Sequence, residues 1–283
     1  MSTRLTAPSV RARKGSSEPL VMVTAYDYPS ARVADEAGVD LILVGDSLAM
    51  VVLGYDDTLQ VTIDDMVHHV KAVARAKPKA MIVGDLPWMS YHVSAEDTVR
   101  NAAALIRAGA DSVKLEGGRK RIPMVEAIVN AEIPVMGHIG LTPQSTHAMG
   151  GFKVQGKTAS AALALIDDAK ALEAAGVFAI VLEGVPDAVA TMVSRAVTVP
   201  TIGIGAGAAC DGQVLVYHDL LGVEDRVTPK FVRRYADVKA VSVAAVKAYA
   251  EDVRARRFPS FEESYHLSDE TAEVLGLYGA PKA

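Results

Sequence analysis

Three times along this chain a helical stretch closes on Ala-Gly and gives way to an apolar run that ends in an acid. Ala37-Gly38 leads into VDLILVGD, closing at Asp46; Ala108-Gly109 leads into ADSVKLEGG, with Glu116; Ala175-Gly176 leads into VFAIVLEG, with Glu183. In the second and third copies Gly and Glu stand seven positions apart. Gly just past a helix end is the expected C-terminal stop. A continuous Val/Ile/Leu run is what a strand buried on both faces looks like. A chain built on this unit alternates helix and strand, which requires parallel strands joined by right-handed crossovers.

The pattern predicts strands near 20–26, 40–46, 79–85, 112–117, 133–139, 179–184, 200–204 and 214–219. Helices are expected near 29–37, 62–76, 94–108, 119–130, 158–175 and 186–197, with a last one over 236–256. Thr62-x-x-Asp65 and Ser94-x-x-Asp97 have capping-box spacing, and Pro29 and Pro186 suit a first helical turn. The stretch between strands seven and eight is too short for a full helix. Eight strands in a body near this length point to a (β/α)₈ TIM barrel; an open doubly wound sheet is the alternative. With no Pro/Gly-rich linker at mid-chain, one barrel domain is expected over 18–267, between an unordered tail (1–17) and a C-terminal extension (268–283).

The chain has 283 residues, half of them apolar, and 29 Lys+Arg against 34 Asp+Glu. That balance excludes disorder across the body and gives no electrostatic footprint for nucleic acid. The lone cysteine, Cys210, excludes an internal disulfide framework and a thiolate metal site, and suits a reducing compartment. No apolar run approaches the roughly 20 residues of a membrane helix. The first seventeen residues carry four basic residues and no acid. No long apolar face accompanies them, so they read as a tail rather than a transit peptide.

In both architectures ligands bind beyond the carboxyl ends of the strands. Those ends carry Asp46-Ser47, Asp85, Lys114 with Glu116, His138 and Glu183. Single strand-end acids often cap the next helix, but this many polar groups on one rim mark a site. Asp46 and Asp85 each close a V-G-D segment on strands two and three. As neighbours, two such carboxylates need a cation or a shared proton. Oxygen ligands select Mg²⁺ or a similar hard ion, with Glu116 joining directly or through water. Lys114 and Glu116 share one strand face; they are either a buried ion pair or a lysine facing a substrate carboxylate or enolate. His138 is a structural donor or polarises a carbonyl, and Glu183, across the barrel, suits a general base. His68-His69 lie mid-helix and Cys210 lacks a base partner, so packing roles are expected for them. The GIGAG segment (203–207) is a weak dinucleotide signal, since position 208 is Ala. At strand seven of a barrel, such a loop lets backbone approach an anionic group. The long connection 140–157 reads as a lid or binding loop.

Seven ordered segments carry a resemblance: VTAYDYPSA (23–31), LVGDSLAMVVLGYDDT (43–58), VGDLPWMSY (83–91), VKLEGG (113–118), VMGHIGLTPQS (135–145), GGFKVQG (150–156) and GIGAGAACDGQVLV (203–216). Together they resemble the ketopantoate hydroxymethyltransferase family over roughly residues 18–266. The resemblance implies a Mg²⁺-dependent TIM-barrel enzyme of the cytoplasm, a homo-oligomer and typically a decamer. Its substrates would be 5,10-methylenetetrahydrofolate and 3-methyl-2-oxobutanoate, its product 2-dehydropantoate, in the first step of pantothenate biosynthesis. It implies metal ligands at Asp46, Asp85 and Glu116. Substrate contacts would fall at Asp46, Ser47, Asp85 and Lys114 with His138 close by, and the proton acceptor at Glu183. The folate is expected to border 141–157 and the GIGAG loop. Gly184 stands where many relatives are expected to carry a larger residue. Two other readings use the same residues: a Mg²⁺-dependent 2-oxo acid aldolase or lyase without folate, and a non-catalytic barrel.

Overall fold

Strands β1 (Leu20–Thr24), β2 (Leu41–Val44), β3 (Met81–Asp85), β4 (Ser112–Glu116), β5 (Val135–Gly140), β6 (Ala179–Glu183), β7 (Thr201–Ile204) and β8 (Gly212–Leu215) pair in parallel and in sequence order. β8 returns to β1, so the sheet is closed. This computed structural model, which describes residues 4–223, 226 and 228–277, is therefore a (β/α)₈ barrel rather than an open sheet.

The chain divides into two compact units, one ending at Tyr235 and one beginning at Ala236. The barrel unit thus stops earlier than the expected boundary at 267. The second unit holds helix Val238–Arg254, capped by Asp237, and the short helix Asp269–Val274, capped by Ser268. Neither helix has a buried residue. The final residues of the 268–283 extension, from 278 on, lie outside the described residues.

Helix starts follow the side-chain signals. Thr62 accepts from the Asp65 amide and Asp65 returns the bond at 2.9 Å, a full capping box. The Thr62 hydroxyl, donating to Asp65 Oδ2 at 2.7 Å, and the Thr62 main-chain N–H together hold the Asp65 carboxyl below its ordinary range. Ser94 caps Ala95–Ala108 by accepting from the Asp97 amide at 3.0 Å. The helix expected over 119–130 begins as a 3₁₀ turn, Arg119–Arg121, and becomes α-helical only at Ile122–Asn130. Pro123 lies in the first helical turn, where its missing N–H costs nothing.

The Ala-Gly echo marks real helix stops. Gly38, Gly109 and Gly176 all have positive φ, with Gly109 at +114°. A Cβ at Gly109 would sit 2.5 Å from the Cβ of Ala74 on the preceding helix. Gly109→Ala is expected to destabilise the fold by about 1–3 kcal/mol through backbone strain, and by more if Ala74 cannot shift. Urea unfolding monitored by circular dichroism checks this; an unchanged midpoint would remove the stop's structural importance.

Strand alternation gives the barrel two apolar layers. Outward residues such as Ile42, Ile82, Leu115 and Ile180 pack under the helices. Inward residues such as Met22, Leu43, Val83, Met136 and Val181 fill the barrel. The N-terminal segment closes this inner core from below, which corrects the unordered-tail expectation for the described residues 4–17. Helix Ala7–Arg11 buries Val10 completely and Ala7 nearly so. Lys14 then reaches Asp211 at 2.9 Å. Two apolar positions on one short turn are too few to show as an amphipathic pattern, which is why the sequence hid it.

Candidate active site

The inward face of several strands turns polar at its carboxyl end. Two residues beyond Val83 comes Asp85; beyond Met136 comes His138; beyond Val181 comes Glu183. On β4 the inward positions are Lys114 and Glu116. Period two carries the apolar filling of the barrel straight into a polar rim.

Register then chooses the neighbours. Asp85 lies opposite Lys114, and Glu116 opposite His138. Lys114 Nζ sits 2.8 Å from Asp85 Oδ1. The buried ion pair is therefore Lys114–Asp85, across strands, and not the Lys114–Glu116 pair open from sequence. His138 stands between two acids, with Nδ1 3.5 Å from Glu116 Oε1 and Nε2 3.3 Å from Glu183 Oε2. Lys114 Nζ is also 3.4 Å from His138 Nδ1. Asp46 follows β2, and its main-chain N–H donates to Asp85 Oδ2 at 3.3 Å. The expected proximity of Asp46 and Asp85 is thus present. Ser47 Oγ lies 2.9 Å from the hydroxyl of Tyr26, which is buried in the barrel wall.

Burial makes these charges matter. Asp46, Asp85, Lys114, Glu116 and His138 are each between 1% and 5% exposed. Burial, and then the neighbouring Asp85 and Glu116 charges, hold the Asp46 carboxyl well above the usual range. Burial likewise raises Asp85, against the opposing pull of Lys114. Burial pushes Lys114 down, but Asp85, Glu116 and Asp46 outweigh it and raise the ammonium above its ordinary value. His138 is lowered by burial and by Lys114, yet the side chains of Glu116 and Glu183, 3.5 and 3.3 Å from its two ring nitrogens, bring it to about 9.

The pocket thus gathers four carboxyl groups, those of Asp46, Asp85, Glu116 and Glu183, around Lys114 and His138. Asp85 Oδ1 is buried without a well-directed hydrogen bond. Such an all-oxygen donor set fits a hard divalent cation. Among the described residues no three of these groups enclose a common point at ligand distance. Asp85 is turned to Lys114, while Asp46 and Glu116 are turned to Gln144.

Gln144 and Tyr91 are the buried site residues that sequence reasoning passed over. The Gln144 side chain donates to Asp46 Oδ2 at 2.8 Å, and its main-chain N–H donates to Glu116 Oε2 at 3.0 Å. Tyr91 OH donates to Gln144 Oε1 at 2.6 Å. Both residues stand within segments that carry the family resemblance, VGDLPWMSY and VMGHIGLTPQS, and that was the available signal. Part of the 140–157 connection therefore does reach the site.

Other expectations resolve locally. His69 Nδ1 packs 2.6 Å from the Tyr26 carbonyl, and Cys210 is buried, with its thiol pushed up by that burial. Gly205 and Gly207 are approached by the chain's own side chains: a Cβ there would meet Phe231 at 2.7 Å and Asp187 at 2.6 Å. At those two positions a side chain is excluded by the chain's own packing. Gly184, at φ +54°, has the left-handed backbone that glycine adopts readily.

Comparison with known proteins agrees with this geometry. The family model for ketopantoate hydroxymethyltransferase matches residues 4–261. A 3-methyl-2-oxobutanoate hydroxymethyltransferase from Moorella thermoacetica is 57% identical over 264 residues, covering 93% of this chain and 98% of that protein. One from Ignicoccus hospitalis is 58% identical over 263 residues, covering 93% and 99%. Among solved structures, a phosphoenolpyruvate phosphomutase from Streptomyces platensis subsp. rosaceus has a TM-score of 0.60 at 17% identity, covering 96% of each chain. Phosphonopyruvate hydrolase in complex with oxalate and Mg²⁺ also gives 0.60, at 15% identity, covering 96% of this chain and 95% of that one. These last two share the barrel fold. With its family model spanning nearly the whole chain and relatives above half identity from end to end, this chain belongs to the ketopantoate hydroxymethyltransferase family.

Proposed function

We propose that this enzyme forms ketopantoate by transferring a hydroxymethyl group from 5,10-methylenetetrahydrofolate to 3-methyl-2-oxobutanoate. The observation that carries the reading is the facing of Glu183 and the Asp46–Asp85–Glu116 set across one buried barrel mouth, bridged by His138. Family membership favours the transferase over a folate-independent lyase on a similar barrel.

Asp46, Asp85 and Glu116 would hold Mg²⁺, which when bound supplies Lewis-acid charge to the substrate's keto oxygen. Ser47 and Lys114 bind and orient the 2-oxo acid, Lys114 as a point charge against its oxygens. Glu183 takes the C3 proton at Oε1 or Oε2, with His138 Nε2 holding one of those oxygens in place. In the net transfer C3 bonds to the folate's one-carbon unit and both C–N bonds of the methylene bridge break, releasing tetrahydrofolate; one water supplies the hydroxyl group, and its other proton and the one taken from C3 end on the two folate nitrogens. Burial excludes bulk water from the proton-transfer step.

The family resemblance also supports a cytoplasmic homo-oligomer, a decamer. No helix among the described residues is long and apolar enough to cross a membrane. Mass by light scattering tests the assembly.

Proton NMR in D₂O tests the chemistry, with 3-methyl-2-oxobutanoate and Mg²⁺, with and without methylenetetrahydrofolate. A new hydroxymethyl signal is expected only with the folate, and C3–H exchange is expected without it. A folded, metal-supplied protein that gives neither signal would end this reading.

A further inference from the structure

We propose that Gln144 is the positioning residue that presents Asp46 and Glu116 to the cation, with Tyr91 setting the orientation of its amide. This rests on the carboxylate-bound metal of the proposed function. Gln144 lies in a 3₁₀ turn after β5, and its side chain is drawn across the barrel mouth. The amide nitrogen donates to Asp46 Oδ2 at 2.8 Å and to the Leu86 carbonyl at 3.0 Å, and the amide oxygen accepts from Tyr91 OH at 2.6 Å. Turned over, its oxygen would face a carboxylate and a carbonyl, two acceptors with nothing to accept. The orientation is therefore dictated by its surroundings.

The main chain of the same residue binds Glu116 Oε2 at 3.0 Å, and Tyr91 OH also accepts from the Glu116 amide at 3.3 Å. One residue thus occupies one oxygen of each of two carboxylates. Asp46 Oδ1 is left to serve a cation, and Glu116 Oε1, 3.5 Å from His138 Nδ1, is the other oxygen that Gln144 does not occupy. Without this restraint, nothing contributed by Gln144 would hold the two buried carboxyl groups in place before a cation arrives. Both Gln144 and Tyr91 are neutral, so they can orient the acids without competing for the metal's charge. Groups that orient ligands in this way typically carry about 10–100-fold of metal affinity.

The test is Mn²⁺ titration of the full chain, reading free Mn²⁺ by electron paramagnetic resonance, with thermal unfolding measured in parallel without metal. Asp85→Asn serves as the control that removes a ligand. Gln144→Leu is expected to weaken Mn²⁺ binding about 10–100-fold, and Tyr91→Phe to weaken it by a smaller factor. The double variant should bind at most slightly more weakly than Gln144→Leu alone, because apart from its 3.3 Å contact with the Glu116 main-chain N–H, Tyr91 acts through Gln144. Lowered unfolding temperatures with wild-type Mn²⁺ affinity in both single variants would overturn the assignment and leave a packing role only. If Gln144→Leu does not fold, Tyr91→Phe alone decides, since it removes one oxygen atom. A wild-type chain that binds no Mn²⁺ would instead bring down the metal reading itself, an outcome distinct from failure of the Gln144 assignment.

Discussion

Glu183→Gln is expected to lower kcat for ketopantoate formation by about 10²–10⁴-fold while moving KM for the 2-oxo acid only a few-fold. The substitution keeps the shape of the side chain and its contact with His138 Nε2, 3.3 Å away in the native enzyme. It removes only the ability to take a proton. The loss corresponds to about 2.7–5.4 kcal/mol of transition-state stabilisation. Exchange of the C3 proton in D₂O, measured without folate, should fall by the same factor, because it depends on the same step. Stopped or steady-state kinetics paired with the exchange rate check both numbers. Full turnover in this variant would place the base elsewhere.

Lys114→Met should be the most destabilising single change in the site, costing about 3–5 kcal/mol. The Lys114 and Asp85 side chains are 4% and 2% exposed and lie 2.8 Å apart. Methionine fills the volume of the lysine stem but leaves a buried carboxylate without its cation, beside Asp46 and Glu116. The Lys114→Met/Asp85→Asn double variant should recover most of that loss, since it removes both charges together. Urea unfolding of the two single variants and the double variant, without added metal, gives the coupling energy. A double variant no more stable than Lys114→Met would mean that the cross-strand pair is not the source of the cost.

The barrel was legible because its information is local. Seven strands lie within two residues of where the apolar runs put them, and most helix bounds agree as closely; β8, expected over 214–219, instead runs Gly212–Leu215, because the chain turns into the short helix Tyr217–Leu220. Caps at Thr62 and Ser94 and stops at Gly38, Gly109 and Gly176 depend on neighbours in sequence, so the chain states them directly. The polar rim was legible for the same reason: the residue two beyond a barrel-filling Val or Met faces the same way. Asp85, His138 and Glu183 could be named before any neighbour was known.

Contacts between distant segments were not legible. The sequence by itself determined the repeating strand–helix unit, the set of eight strands, the polar groups at their carboxyl ends and, through seven segments, the family; that the sheet closes through β8 and β1 came from the structure. Only the tertiary structure decided that Lys114 pairs with Asp85 rather than Glu116, because the partner depends on the register of β3 against β4. Only it placed His138 between Glu116 and Glu183, drew Gln144 across to Asp46, and folded residues 7–11 under the barrel. Backbone periodicity sets the direction in which a side chain points; the register and curvature of the closed sheet set which side chain it meets.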